Sequence, residues 1–186
     1  MISVRAIPCL LTLLICHSNS YAAERISRHE SNPEDIQAIT QITKDFQQAI
    51  INKDVKLLSG LMLNSKIPFE SPSSPEMVKM VRDKFDVNFD GTNSDSYGSF
   101  AQYLKSEKAK LSENFQNINI TQDGHIAWVM FDYEFLKDNI PQNYGIETWQ
   151  MLKTAEGKWK ITSVIWSTHL PNKANTEMDK KAVKKP

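Results

Sequence analysis

The C-terminal half of the chain most constrains the fold, because it consists of β-branched and aromatic stretches separated by short turns. The predicted strands cover 115–121, 126–136, 145–153 and 159–168. Gln122-Asp123-Gly124 and Ala155-Glu156-Gly157 supply the residues that tight turns favour. Strands that follow one another through such short connections predict an antiparallel sheet.

The half of the chain before these strands has helical periodicity. The predicted helices cover 33–51, 55–62, 76–85 and 100–111. Asn32 is a suitable N-cap for the first of them, with Pro33 at its first position. Between the helices we predict an extended segment at 67–70, which Pro68 would confine to a sheet edge, and a loop over 86–98. Helices followed by consecutive strands indicate an α+β fold.

Residues 1–22 have the pattern of a secretory signal peptide. Arg5 precedes the apolar stretch 6–16, and Ala22 ends a small-residue cleavage site. The apolar stretch is well short of the roughly 20 residues that cross a bilayer, so we predict no membrane span in the mature chain. We therefore expect export to the periplasm or to the outside of the cell. A lipid on Cys16 is the less favoured alternative, because Ile15 stands where lipidation needs a small residue.

The remainder of the chain fits one domain of ordinary size. We predict a flexible N-terminus over 23–32, a domain over 33–169 and a disordered, Lys-rich tail over 170–186. Both cysteines of the chain, Cys9 and Cys16, lie in the predicted signal peptide. The domain would therefore contain neither a disulfide nor a thiolate metal site.

Charge and motifs exclude several classes of function. Signal cleavage would remove one of the 22 basic side chains, Arg5, and none of the 22 acidic ones, so the mature chain is close to neutral. A general nucleic-acid binder needs a basic surface, so we predict no nucleic-acid partner. His29 and His125 have no second ligand at metal spacing, and no nucleotide, zinc or hydrolase motif is present. His169 closes the last predicted strand, where it could lie at the pocket rim, although a satisfied or exposed histidine is the favoured interpretation. We predict neither a metal nor another cofactor.

Two local motifs carry a resemblance to a known superfamily. The first predicted helix ends in Phe-Gln-Gln-Ala-Ile-Ile-Asn-Lys-Asp over 46–54, and the last hairpin reads Gly-Ile-Glu-Thr-Trp over 145–149 and Glu-Gly-Lys-Trp-Lys-Ile over 156–161. With the order of elements, these motifs resemble the nuclear transport factor 2-like superfamily, which includes SnoaL-like cyclases and ketosteroid isomerase. The resemblance covers about 33–168 and implies a cone-shaped roll, in which helices pack on a curved antiparallel sheet around a pocket. Unrelated activities share this fold, so it implies no single reaction.

The resemblance also implies candidate catalytic residues. In the isomerase branch an acid after the second helix moves a proton, while a Tyr on the first helix and a second acid stabilise an oxyanion. By position, Glu70 matches the first acid and Glu147 the second. Phe46 stands where that Tyr would be, and Phe donates no hydrogen bond. Either glutamate could instead face solvent, in which case neither would act in the pocket.

Alternation along 126–136 predicts which side chains face the inside of the cone. The aromatic residues of this strand alternate with Asp132 and Glu134, so the aromatic set is the expected inner wall. Tyr133 is the best polar candidate on that wall, because a buried hydroxyl needs a partner. The predicted lining of an apolar ligand pocket is Phe46, Phe69, Phe131, Tyr133, Trp149 and Trp166.

The outer face of the same sheet carries apolar residues that need cover. We assign Trp128, Met130 and Ile161 to this face. The resemblance implies that such a face pairs with the sheet of another copy, so we predict a homodimer.

Three classes of function remain open at this point. The favoured one is a module that binds a small, mostly apolar molecule in the cone without turnover. The second is an acid–base enzyme of the isomerase, cyclase or hydratase type, with Glu70 as base and Glu147 or Tyr133 as hydrogen-bond donor. The third is a protein-interaction domain, for which the insertion 71–98 could supply contacts. The enzyme requires a carboxyl group inside the cavity, and sequence alone does not place one there.

Overall fold

The computed structural model describes residues 32–171, so the predicted signal peptide and most of the predicted tail lie outside the described residues. In this part of the chain, four helices pack on one six-stranded sheet with the strand order β2-β1-β6-β5-β4-β3. The elements in chain order are α1 Pro33–Asn52, α2 Val55–Leu61, β1 Pro68–Pro72, α3 Pro75–Lys84, β2 Thr92–Ser96, α4 Tyr97–Ser106, β3 Leu111–Gln122, β4 Ile126–Lys137, β5 Ile140–Lys153 and β6 Trp159–Trp166. The predicted α+β class is confirmed. None of the helices between 32 and 171 has the length and hydropathy of a membrane span.

Helix α1 begins and ends where its sequence predicts. The Asn32 side chain accepts a hydrogen bond of 2.9 Å from the backbone N–H of Glu34, which satisfies one of the free donors of the first turn. The helix ends at Lys53, whose φ of 52° is left-handed. Its apolar stripe, which includes Ile39 and Phe46, is buried against the sheet.

The four C-terminal strands pair antiparallel in chain order, as predicted. Strand β5 begins at Ile140, five residues before the predicted start at Gly145. The reason is the turn at Asp138 and Asn139, which have φ values of 49° and 63° and join Lys137 directly to Ile140. Two consecutive left-handed residues form the two-residue turn whose twist matches a β-hairpin.

The N-terminal half differs from the prediction at three places. Thr92–Ser96 is a strand within the predicted loop, and it pairs antiparallel with β1. Its side chains are mostly exposed, so backbone pairing rather than apolar periodicity defines it. Strand β1 also pairs parallel with β6, so it is not at a sheet edge. Pro68 is tolerated there because it is the first residue of the strand. Helix α4 ends at Ser106, and Leu111 begins β3 instead of ending the predicted helix.

The inner face of the sheet and the helices enclose the hydrophobic core. Phe46 on α1 packs on Trp149 with ring centroids 4.8 Å apart, and Trp149 meets Phe131 at 5.0 Å. Ile161 belongs to this core and is fully buried, so its predicted place on the outer face is wrong. The register shift between Gln150 and Met151 sets Ile161 opposite Met151, whose side chain also points inward.

The Asp35 side chain joins the start of α1 to β5 and β6. The Asp35 carboxylate accepts hydrogen bonds from Lys153 Nζ at 2.7 Å and from Trp159 Nε1 at 2.8 Å. The bonds from Lys153 and Trp159 hold the pKa of Asp35 below its usual value. Because Asp35 is 5% exposed, these donors replace the water that Oδ1 loses on folding, while Oδ2 is buried with no hydrogen-bond partner among the described residues.

Candidate functional site

A cavity of about 240 Å³ lies between the helices and the inner face of the sheet. Its deep part is formed by buried side chains, and its mouth by partly exposed side chains such as Tyr103 and Trp166. The lining residues are Phe46, Phe69, Phe100, Tyr103, Glu113, Tyr133, Phe135, Asn143, Glu147, Val164 and Trp166. This volume lies just below the range of roughly 300–1,000 Å³ for pockets of drug-sized ligands, so the cavity has room only for a smaller molecule.

Glu147 is one of two carboxyl groups in this cavity, and it is only 4% exposed. The indole Nε1 of Trp149 donates a hydrogen bond of 2.6 Å to Glu147 Oε1. Burial raises the pKa of Glu147 to about 8, because a desolvated carboxylate is costly, and the bond from Trp149 opposes part of that rise. Glu147 is therefore largely protonated at neutral pH and ionises near pH 8.

Glu113 is the second carboxyl group, and it is 7% exposed. Between residues 32 and 171 no side chain or backbone N–H donates to its carboxyl group; the bond from Gln47 Nε2 goes to its backbone carbonyl. Burial raises the pKa of Glu113 well above its usual value, and the negative charge of Glu147 raises it further. A protonated Glu113 in this position is a free hydrogen-bond donor that faces the cavity.

Tyr133 lies between the two acids on the inner face of β4. Glu113 is opposite Phe135 and Glu147 is opposite Phe131, so Tyr133 occupies the intervening inward position. Its hydroxyl donates a hydrogen bond of 2.9 Å to the Ser167 carbonyl oxygen. Burial raises the pKa of Tyr133 above its usual range, and the two carboxylates add to this effect. Tyr133 is thus a neutral phenol whose hydroxyl proton is already engaged with the Ser167 carbonyl oxygen.

Gly145 lies opposite Tyr133 on β5 and leaves room for the Ser167 carbonyl oxygen, which accepts the hydrogen bond from Tyr133. A Cβ atom there would lie 2.2 Å from the Ser167 carbonyl oxygen, which is far inside van der Waals contact. The backbones of Gly145 and Ser167 approach so closely that a residue with a side chain would not fit at position 145, which explains the glycine that begins the Gly-Ile-Glu-Thr-Trp motif.

The structure brings together most of the residues predicted for the pocket. Glu147 and Tyr133 line the cavity, as do Phe46, Phe69 and Trp166. Phe131 and Trp149 are fully buried behind this wall and pack against one another.

Glu70 lies elsewhere. It alternates with the buried Phe69, so its carboxylate is on the other side of β1, where it accepts a bond of 3.0 Å from Ser94 Oγ. The structure does not bring Glu70 together with Glu147 and Tyr133.

Sequence reasoning missed Glu113, Phe100, Tyr103, Phe135, Asn143 and Val164 as lining residues. For Glu113 a signal was present, because Leu111, Glu113 and Phe115 alternate inward with strand period. Assigning Leu111 to the preceding helix concealed that alternation.

The cavity is acidic and lacks basic side chains. Its lining contains two acids and no Lys, Arg or His. A neighbouring cavity of about 340 Å³ shares part of the aromatic mouth and adds polar groups, including Asp95. A cation at the mouth is Lys137, whose ammonium group lies 5.6 Å from the Tyr103 ring centre and is paired with Glu107 at 2.6 Å. Among the described residues no group of three His, Cys, Asp or Glu side chains forms a metal site.

Solved structures from several bacteria share this architecture. A nuclear transport factor 2-like protein of unknown function from Pseudomonas putida aligns with a TM-score of 0.57 at 10% identity, over 78% of this chain and 94% of that one. A nuclear transport factor 2-like protein from Cytophaga hutchinsonii aligns with a TM-score of 0.54 at 17% identity, over 75% of this chain and 100% of that one. A candidate scytalone dehydratase from Novosphingobium aromaticivorans aligns with a TM-score of 0.53 at 16% identity, over 74% of this chain and 85% of that one. No family model matches the sequence, and neither does any curated protein.

These likenesses establish the fold. The protein is an α+β chain with the nuclear transport factor 2-like fold, as the sequence motifs predicted. At identities this low, the shared fold carries no shared activity.

Proposed function

We propose that this protein is a SnoaL-like domain that binds a small, mostly apolar molecule in the cavity of its cone. The observation that carries the proposal is the cavity wall, in which seven of the eleven lining residues are aromatic. Aromatic rings around a concave space supply the apolar contact that holds small ligands, and a few polar groups fix their orientation. Glu113, Glu147 and Asn143 are the polar groups of this site.

Thermal unfolding in the presence of 2-phenylethanol, a neutral probe with one ring and one polar end, tests this function. Binding to the folded state raises the melting temperature with ligand concentration. The variant Asn143→Phe, which fills the mouth of the cavity, should abolish the rise. Gln142→Phe is the matched control, because it adds the same ring to the same strand outside the cavity lining. No saturable rise with the unmodified protein would refute the proposal.

A second function, acid–base catalysis, is supported by Glu147. The enzyme interpretation required a carboxyl group inside the cavity, and Glu147 meets that requirement beside Tyr133, with its pKa raised to about 8. Since Phe46 and the bonded Tyr133 hydroxyl offer no donor, a protonated Glu113 would stabilise an oxyanion in their place. Glu147 would take a proton α to a carbonyl group and return it two carbons away.

Conversion of 3-cyclohexen-1-one to its conjugated isomer, followed by ultraviolet absorbance, tests this second function. Turnover should rise with pH as Glu147 ionises, and Glu147→Gln should abolish it. Glu70→Gln is the control, because that carboxylate lies outside the cavity lining. Activity that depends on Glu70 but not on Glu147 would contradict this assignment.

We propose that the protein is a homodimer formed through the outer face of the sheet. Trp128 and Met130 are 51% and 44% exposed, and Ile146 and Ile165 on the neighbouring strands are 49% and 45% exposed. Met130, Thr148 and Ile165 are paired in one row across β4, β5 and β6, so the exposed apolar side chains of these strands lie on one face of the sheet. Light scattering should give a dimer for the unmodified protein and a monomer for Met130→Lys, with Gln102→Lys on α4 as control. A monomer at high concentration contradicts the proposal.

Export remains a proposal that rests on the pattern of residues 1–22. N-terminal sequencing of protein from the cell envelope should begin at Ala23. An intact Met1, or a lipid on Cys16, would refute it.

A further inference from the structure

The two acids of the cavity have no cationic partner in its lining. Two carboxyl groups, each more than nine-tenths buried, face a space whose lining contains no base. Buried carboxylates are ordinarily paired with a cation or kept neutral by a proton. Asp35 shows the paired arrangement in this same fold, where Lys153 neutralises it. Glu113 has no such partner within residues 32–171, so its carboxyl group is available to a ligand.

The rest of the wall suits a cation as well. Seven aromatic rings surround the space: Phe46, Phe69, Phe100, Tyr103, Tyr133, Phe135 and Trp166. The negative face of an aromatic ring attracts an ammonium group, and the attraction grows when water is excluded. The Lys137 ammonium already lies near one of these rings, Tyr103, at the mouth.

We infer, on the basis of the proposed binding function, that the cavity selects an organic ammonium ion, with its cationic head at Glu113 and Glu147 and its apolar body on the aromatic rings. A primary ammonium group carries three donors, which match carboxylate acceptors on two sides. An anionic ligand of the same shape would meet two acids and no base. A neutral one would gain only the apolar contacts and single hydrogen bonds.

Binding of this ligand is linked to the protons of the two acids. Burial raises the pKa of both acids, that of Glu147 to about 8, so Glu147 is largely protonated in the empty cavity at neutral pH and ionisation of Glu113 is likewise disfavoured. Docking of a protonated amine stabilises the carboxylates, so each acid that ionises releases one proton to solvent. Amine affinity should therefore rise as the pH increases towards 8. The other titratable groups nearby are Tyr133 between the acids, Tyr103 in the cavity lining, Asp95 in the adjoining cavity and the Lys137–Glu107 pair at the mouth.

Three probes with one ring and different heads isolate the charge of the ligand. Calorimetry at about pH 7.5 would compare 2-phenylethylamine, which is cationic, with 2-phenylethanol, which is neutral, and phenylacetate, which is anionic. We expect the amine to bind at least about tenfold more tightly than the alcohol, and phenylacetate to bind most weakly. Titrations in two buffers of different ionisation enthalpy should show proton release for the amine and none for the alcohol.

Substitutions of Glu113 and Glu147 test whether these acids cause the preference for the amine over the alcohol. Glu113→Gln should reduce amine affinity about tenfold and leave alcohol affinity nearly unchanged, while Glu70→Gln should change neither. If Glu113→Gln does not fold, Glu147→Gln and the proton release of the unmodified protein provide the same test. Equal or tighter binding of the alcohol overturns the inference and leaves the proposed binding function intact. Binding of none of the three probes refutes both.

Discussion

Replacing Glu147 by Gln should remove a large part of the pH dependence of stability. Burial raises the pKa of Glu147 from a usual value of 4.5 to about 8, so the folded state prefers the protonated form. Its contribution to stability is fully present below pH 4.5 and is lost as the pH rises through 8. One pKa unit corresponds to about 1.4 kcal/mol, so the full loss is at most about 5 kcal/mol.

Between about pH 5 and pH 7.5 this linkage amounts to about 3 kcal/mol. Urea unfolding, followed by circular dichroism at both pH values, measures it. The free energy of unfolding of the unmodified protein should fall by that amount more than that of Glu147→Gln, whose amide oxygen still accepts from Trp149 Nε1. Gln does not ionise, so the variant should become the more stable protein as the pH rises.

Glu70→Gln is the control for this experiment, because it removes a carboxylate that is half-buried at the side of β1 away from Phe69. It should retain the pH dependence of the unmodified protein. If Glu147→Gln also retains it, the Glu147 carboxyl group is solvated in solution, and the reasoning from burial is wrong.

Three further substitutions give expected outcomes. Trp149→Phe removes the donor that lowers the pKa of Glu147, so the loss of stability with rising pH should continue to a higher pH. Gly145→Ala should destabilise the protein by about 1–3 kcal/mol in chemical unfolding, because its methyl group meets the Ser167 carbonyl. Asp35→Asn should cost about 1–3 kcal/mol at neutral pH and much less in acid, because the lowered pKa of this carboxylate gives stability that disappears as the pH falls.

Most of the fold was predictable because its elements have regular periods. The stripe of α1 and the alternation of β4 each repeat over enough residues to fix the type of element and its buried face. Strand β2 was not predictable, since Thr-Asn-Ser-Asp-Ser has no apolar period and its order depends on pairing with β1. The position of Ile161 depends on a bulge, which sequence alternation does not reveal.

The site was predictable in part for the same reason. Tyr133 was placed on the inner wall because its strand alternates cleanly. Glu147 was named as an acid, but its face was left open, because the prediction began β5 at Gly145 and so had few residues before it to set the period. Glu113 was missed because the boundary between α4 and β3 was placed too late. Glu70 was proposed by counting along the motif, and a count along the chain does not determine which side of a strand a residue faces.

The parallel pairing of β1 with β6 has a consequence for how the chain folds. Phe69 lies opposite Val164, so the edge of β1 that faces β6 finds its backbone partners only when the last strand is available, whereas the other edge pairs with β2. Contacts between such distant parts of a chain close large loops and slow the search for the native state. During synthesis, the sheet stays split into two pieces until β6 emerges, with β1 and β2 on one side and β3 to β5 on the other. We therefore expect the domain to fold as a unit only after β6 has left the ribosome.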